Sequence, residues 1–122
     1  MRDIRPLLFF EINEFNLELM RDAAELYQFD GILKLLRLNL IKTRTNDTLE
    51  SDWLEPWVQW ASVHTGVESA VHRIKHLGDV PDLAHKQIWE ILDENQITWG
   101  AWGVLNGSKG AATNCKFFLP DP

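Results

Sequence analysis

Cysteine is nearly absent from this sequence, which has a single one, Cys115, in 122 residues. One cysteine excludes an internal disulfide framework and is typical of a protein in a reducing compartment. We interpret Cys115 as a small buried apolar side chain rather than a reactive thiol. The sequence therefore predicts a cytoplasmic protein.

Long apolar runs are absent as well. The run Leu7-Leu8-Phe9-Phe10 is interrupted by the carboxylate of Glu11. A signal peptide needs a longer apolar segment, and a transmembrane helix needs about 20 apolar residues. We therefore expect no signal peptide and no membrane partner.

Positive charge is also low, with 12 Lys and Arg against 18 Asp and Glu, for a net charge of −6. Nucleic-acid affinity depends on clustered Lys and Arg, so we expect no nucleic-acid partner. A small phosphorylated substrate held by a metal ion stays compatible with this charge. A chain of this length can bury one modest core, which predicts a single domain over residues 1–122.

Several functional groups are concentrated in residues 55–66. Pro56 suits the first turn of a helix and Gly66 suits its C-terminal end, so the stretch predicts one short helix. Glu55 and Gln59 are four residues apart near its start, where polar groups can face a charged ligand or a metal ion. The other interpretation is a helix buried through its aromatic side chains. The residues expected on one face are Trp57, Trp60, Ala61 and His64.

Residues 7–12 form an apolar segment that ends in polar residues. We expect a strand of a parallel sheet, buried on both faces. Because ligands bind beyond the carboxyl ends of such strands, Glu11 is a candidate metal ligand and Asn13 a candidate pocket residue. The alternative is that Glu11 points into water.

The rest of the chain alternates between predicted helices and strands. His72 and His76 are four apart, but no third metal ligand follows at a recognised spacing. Asn106 follows the last predicted strand, which contains Gly100 and Gly103. In chain order, the first predicted elements are a helix capped by Asn16, a helix from Asp30-Gly31, a strand at 41–45 and an irregular stretch at 67–82. They are followed by a helix capped by Asp82, a strand at 97–105 and an apolar run at 115–119. The buried face of the helix after Asp82 is expected to carry Leu83, Gln87, Ile88, Ile91 and Leu92.

This alternation predicts an α/β fold with a mostly parallel sheet flanked by helices. Two strands are convincing, which is few for a parallel sheet with both faces covered. We therefore expect the sheet to be incomplete, so that an isolated chain would self-associate through its exposed edge and apolar faces.

A set of motifs in order resembles the N-terminal part of the alkaline phosphatase superfamily, in its type I phosphodiesterase/nucleotide pyrophosphatase-like branch. The motifs cover nearly the whole chain, and it is their set and order that carry the resemblance. They are Phe10-Glu11-Ile12-Asn13-Glu14, Glu55-Pro56-Trp57-Val58-Gln59-Trp60, His64-Thr65-Gly66, His72-Arg73-Ile74-Lys75-His76-Leu77, Ile88-Trp89-Glu90-Ile91-Leu92, the strand with Gly100 and Gly103, and Phe117-Phe118-Leu119-Pro120-Asp121-Pro122.

The resemblance implies the N-terminal portion of a metal-dependent hydrolase of phosphate or sulfate esters. Glu11 takes the place of the first acidic metal ligand, where the family usually has Asp. Aligning Thr65-Gly66 with the family's Thr-Gly puts the Thr or Ser nucleophile position at Pro56, which has no nucleophile. The Asp and His ligands that complete the family's metal site lie further downstream than this sequence extends. A divalent ion, Zn²⁺ or Mn²⁺, is therefore expected only in a full-length protein.

Two main classes of function follow, beside a third alternative, a free-standing acidic interaction domain. The first is an enzyme fragment in which Glu11 binds the metal and a small-molecule phosphate or sulfate ester is the partner. Its catalytic residues are unknown, since Pro56 requires a substitute group or direct attack by water. The second is a non-catalytic protein that binds a polar ligand on the same scaffold. The residues expected to line the pocket are Asn13, Glu55, Gln59 and Asn106.

Overall fold

The computed structural model describes residues 6–48 and 53–121. The chain divides into two compact units, Met1–Arg44 and Thr45–Pro122. The described residues combine α-helices with a small parallel sheet, so the fold is mixed α/β. In the described part of the chain, no helix has the length and apolar character needed to cross a bilayer.

The first unit contains helix α1 (Leu17–Leu26) and helix α2 (Asp30–Leu36). The prediction that Asn16 caps α1 is confirmed, since its Oδ1 accepts the Leu19 N–H at 2.9 Å. This bond satisfies one of the first-turn amides that lack a partner within the helix. Ala24 on α1 is fully buried.

The predicted strands at 7–12 and 41–45 are wrong, because neither segment has regular secondary structure. Leu7 and Phe10 are 89% and 75% exposed, so the first segment is not buried on both faces. An apolar run supplies side chains for a sheet but not the neighbouring strand that must pair with its backbone. Among the described residues, strand pairing occurs between residues 99–104 and 115–120 instead.

The second unit begins with the helix predicted around residues 55–66. Helix α3 spans Pro56–Thr65, with Pro56 in its first turn and Gly66 in the left-handed conformation at φ 73°. Both termini confirm the sequence reasoning. Of the face that we predicted, Ala61 and His64 are buried, whereas the two tryptophans are half-buried.

The structure corrects the middle of this unit. Residues 67–82, predicted to be irregular, include the short helix α4 (Ser69–His72) and a 3-10 turn at Val80–Asp82. The next helix, α5, spans Ile88–Glu94, so Asp82 is not its cap. Gln87, expected inside a helix, is the cap itself, with its N–H donating to Glu90 Oε2 at 2.8 Å. This bond between the N-cap backbone and the Glu90 side chain fixes the later start of α5.

The sheet consists of two parallel strands in the described residues, β1 (Trp99–Val104) and β2 (Cys115–Pro120). They are joined through residues 105–114, which contain no helix. Asp93 on α5 holds this connection by accepting the N–H groups of Thr113 and Asn114 at 3.0 and 2.6 Å. The parallel pairing confirms the predicted strand direction.

The two faces of the sheet differ. The inner face packs on α5 and forms a core of Trp89, Trp99, Ala101 and Val104. The outer face exposes three large side chains, with Trp102 78% exposed. We call Trp102, Phe117 and Leu119 the outer apolar face. Cys115 is half-buried and unpaired, and its Sγ lies 3.1 Å from the Phe117 carbonyl oxygen.

Candidate functional site

The five residues that we predicted to form a site are distributed over both units. Glu11 is half-buried and Asn13 is exposed in a turn, and both belong to the first unit. Glu55, Gln59 and Asn106 belong to the second unit. The contacts of these three lie within that unit.

Asn106 is a buried structural residue rather than an open pocket residue, since 6% of it is exposed. Its Nδ2 donates to the carbonyls of Trp57 at 3.0 Å and His76 at 3.1 Å. Its Oδ1 accepts the Gly78 N–H at 3.1 Å. These bonds use the donors and the acceptor of the amide within the protein. Asn106 therefore joins the first turn of α3 to the loop after α4.

Gln87 extends this polar cluster and is fully buried. Its Nε2 donates to the Asn106 carbonyl at 2.7 Å, and its Oε1 accepts the Ser108 N–H at 2.9 Å. Asn106 has φ 46°, a left-handed conformation that asparagine tolerates better than most residues. The turn after β1 is therefore held by side-chain amides that are satisfied within the protein, as buried polar groups require.

Gln59 is also engaged within the protein. Its Nε2 donates to Asp47 Oδ2 at 2.6 Å and to the Trp53 carbonyl at 2.5 Å. Asp47 also accepts the hydroxyl of Ser69. Burial raises the pKa of Asp47, but hydrogen bonds from Ser69, Gln59 and Thr45 outweigh it, and the pKa is lowered. Asp47 is thus ionised, and its carboxylate connects α3 with α4 through Gln59 and Ser69.

Glu55 is a predicted pocket residue of the second unit, and its side chain is exposed. It occupies the N-cap position of α3, and its side chain makes no capping hydrogen bond. Its carbonyl accepts the N–H groups of Val58 and Gln59 at 2.9 and 3.0 Å. Asn106 contacts the same helix turn through the Trp57 carbonyl. Glu55 therefore presents an open carboxylate at the start of α3.

Ser62 and His72 form a pair that sequence reasoning missed, with Oγ and Nε2 2.9 Å apart. Such a pair can activate a nucleophile when the ring accepts the hydroxyl proton. Here the Ile74 N–H donates to His72 Nδ1 at 3.0 Å, so Nδ1 is the acceptor and the neutral ring carries its proton on Nε2. Nε2 then donates to Ser62. The pair is in the wrong tautomer to act as a base.

Burial lowers the pKa of His72 in spite of the nearby Asp47 carboxylate, so the ring is held neutral. Asp47 accepts the hydroxyl of Ser69. We interpret Ser62, Ser69 and His72 as a structural network that connects α3 with α4. Nothing in the spacing of these residues in the sequence indicates this network.

The described residues contain few of the groups that a metal site needs. In residues 6–48 and 53–121, no three His, Cys, Asp or Glu side chains are grouped so that they could hold a metal ion. Helix α4 ends at His72, so His72 and His76 do not share a helix face. The half-buried carboxylate of Glu11 has the hard oxygen ligands that suit a divalent ion. A single carboxylate supplies only part of a metal site.

Comparisons with known protein families, with curated protein sequences and with solved structures find no match to this chain. The interpretation of its function therefore depends on the motifs of the sequence and on the geometry of the described residues.

Proposed function

We propose that this chain is the N-terminal part of a metal-dependent hydrolase of phosphate or sulfate esters, similar to the alkaline phosphatase superfamily. The observation that carries the proposal is the open parallel sheet. One face of β1 and β2 packs on α5, whereas the outer apolar face is exposed. Parallel sheets occur almost only with both faces covered, and sheets usually have more than two strands. Further strands and helices would complete such a sheet.

The candidate residues would act either directly on a bound ligand or through the backbone that they hold. Glu11, in the first unit, binds the divalent metal ion. When bound, Zn²⁺ or Mn²⁺ would polarise the ester oxygens. Gln59 and Asn106 act indirectly, because their side chains hold α3 and the turn after β1 in place.

A second candidate is a non-catalytic protein that binds a polar ligand. The observation that favours it is Pro56, which occupies the first turn of α3 at the position where the resemblance expects a nucleophile. Its ring nitrogen has no proton to lose and is part of an amide. Ser62, on the same helix, is hydrogen-bonded to His72, whose Nε2 carries a proton and therefore does not accept the Ser62 hydroxyl proton.

The two candidates are separated by an activity assay on the full-length protein, including any sequence that continues past Pro122. The substrates are p-nitrophenyl phosphate, a phosphodiester and a sulfate, each with and without Zn²⁺ and Mn²⁺. We expect metal-dependent hydrolysis that is lost in Glu11→Ala and kept in Glu25→Ala, an exposed carboxylate on α1. Hydrolysis that persists in Glu11→Ala would remove Glu11 from the metal site. A folded protein without turnover would favour the binding candidate.

The outer apolar face also bears on the proposed partners. If this face is covered only in a longer protein or a complex, the isolated chain self-associates through it. Size-exclusion chromatography with light scattering should show that Trp102→Glu lowers the apparent mass. A wild-type monomer at all concentrations would contradict this part of the proposal. A small-molecule ester as the partner and a cytoplasmic location belong to the same proposal.

A further inference from the structure

A cleft lies on the second unit beside α4, and none of the residues proposed for the hydrolase site lines it. Its volume is about 500 Å³. The wall combines an apolar part with side chains that can carry positive charge. The lining residues are Val71, His72, Arg73, Ile74, Asp79, Ala84 and His85.

Arg73 occupies an unfavourable backbone conformation at this cleft. It follows α4 at φ 61° and ψ 14°, where its N–H donates to the Ser69 carbonyl at 2.9 Å. Glycine is the usual residue at such a left-handed helix end, because any other side chain crowds the backbone. Strain of this kind often accompanies a functional side chain. The fold alone would favour glycine at position 73.

The guanidinium of Arg73 has no ion pair or hydrogen bond to any part of the chain that the structure describes. This is notable in a chain of net charge −6. His85 is half-buried on the same cleft and likewise makes no hydrogen bond within residues 6–48 and 53–121. Two side chains with available N–H groups thus face one cleft.

Asp79 is the one acidic side chain in the lining. Its Oδ2 accepts the N–H groups of Lys75 at 2.9 Å and His76 at 2.8 Å. These two amide dipoles stabilise the carboxylate and lower the pKa of Asp79. Asp79 is therefore ionised, and its carboxylate is held by these two backbone N–H groups rather than by an ion pair with Arg73.

We propose that this cleft binds a small molecule through an oxyanion, either a carboxylate or a phosphate, with Arg73 and His85 as donors. The planar guanidinium matches two oxygens of either group and forms strong charge-assisted hydrogen bonds. The apolar wall of Val71 and Ile74 contacts the rest of the ligand. This site shares no residue with the proposed hydrolase site, so either proposal can fail without the other.

The test is Arg73→Gly, because the fold and the ligand make opposite demands on this position. Without anion, the variant should melt at a higher temperature than the wild type, since glycine relieves the left-handed strain. Inorganic phosphate or acetate should raise the melting temperature of the wild type by mass action. In Arg73→Gly the affinity for both anions should fall about tenfold or more, the loss expected for a charged hydrogen bond.

Two further variants complete the experiment. Lys116→Ala removes an exposed cation on β2 and should keep the wild-type response to both anions. His85→Ala should weaken anion binding while leaving the backbone at Arg73 unchanged, so it tests the cleft even if Arg73→Gly folds poorly. The proposal is overturned if the wild type does not respond to either anion. It is also overturned if Arg73→Gly and His85→Ala respond as the wild type does.

Discussion

The two units of this chain are stabilised in different ways. In the first, helices α1 and α2 bury one side chain among the described residues 6–44, that of Ala24. In the second, aromatic rings pack against one another, with Trp89 and Trp99 stacked at a centroid distance of 6.2 Å and Trp89 and His64 tilted at 4.7 Å. Buried amides and an ionised carboxylate connect the segments around these rings. The second unit therefore combines a core with specific polar contacts.

This difference indicates where sequence changes should matter. Burial of large apolar side chains is the main favourable term in folding, and satisfied buried polar groups specify one arrangement of the chain. The first unit has apolar residues in number, but most of them are exposed. The number of apolar residues therefore does not predict which unit has a core, whereas burial shows it.

The largest effect is expected from the aromatic core of the second unit. Trp89 is 5% exposed and its Nε1 donates to the Ser108 carbonyl at 2.7 Å. Trp89→Ala should lower the free energy of unfolding by about 3–5 kcal/mol, because it leaves a cavity and an unpaired carbonyl. Urea unfolding followed by circular dichroism measures this. Trp102→Ala, which removes an exposed indole, is the matched control and should change stability little. Equal losses in both variants would refute the proposed core.

The next effect is expected from the buried amide of Asn106. Asn106→Ala should cost about 2–4 kcal/mol, since it leaves the carbonyls of Trp57 and His76 and the N–H of Gly78 without their partner. Asn106→Gly should cost about 1 kcal/mol less, because glycine accepts the left-handed backbone. The same unfolding measurement compares them. If alanine proved as well tolerated as asparagine, these hydrogen bonds would not stabilise the unit.

A smaller effect depends on pH. His72 is neutral when folded, because burial lowers its pKa below the ordinary value of 6.5. The unfolded state therefore binds the proton first as pH falls below 6.5. Stability should decrease from there until the lowered pKa is reached, with a slope of at most about 1.4 kcal/mol per pH unit from this group.

His72→Gln should reduce this slope between neutral pH and the lowered pKa, compared with the wild type measured under the same conditions. The lowered pKa of Asp47 acts in a separate range, because its contribution is lost as pH falls below 3.8. An unchanged slope in His72→Gln would show that this imidazole is not buried neutral.

The smallest effects are expected in the first unit. Leu19 and Leu26 on α1 are 67% and 74% exposed. Leu19→Ala and Leu26→Ala should each change the free energy of unfolding by less than about 0.5 kcal/mol, as is usual for exposed positions. A loss as large as that of Trp89→Ala would mean that another surface covers α1 in solution, and it would remove the contrast between the units.

The sequence predicted local features better than pairing. Pro56 and Gly66 delimited α3, and Asn16 located the start of α1, because each of these residues acts on the adjacent backbone. The segment 7–12 was misassigned, since a strand exists only when another strand bonds to it. The parallel direction of the sheet was predicted correctly from the order of elements, but the strands predicted at 7–12 and 41–45 are not present.

The candidate site was less predictable than the helices. Gln59 and Asn106 were selected as polar residues at promising positions, but a sequence does not show whether an amide faces a ligand or a distant carbonyl. The partners of Asn106 are 49 and 30 residues away in the chain. His72 was considered as a metal ligand with His76, whereas its ring nitrogens bond to Ser62 and Ile74. Such contacts are set by the packing of the whole unit.

The separation between Asn106 and its partners also bears on the order in which the chain folds. Its amide joins residues 49, 30 and 28 positions earlier in the chain, and closing such long loops costs conformational entropy. The amide can reach all three only after α3, the loop beyond α4 and β1 have come together. We therefore expect these bonds to form after the rate-limiting step, so that Asn106→Ala accelerates unfolding and leaves the refolding rate nearly unchanged. Stopped-flow refolding and unfolding in urea would show whether this turn closes the structure last.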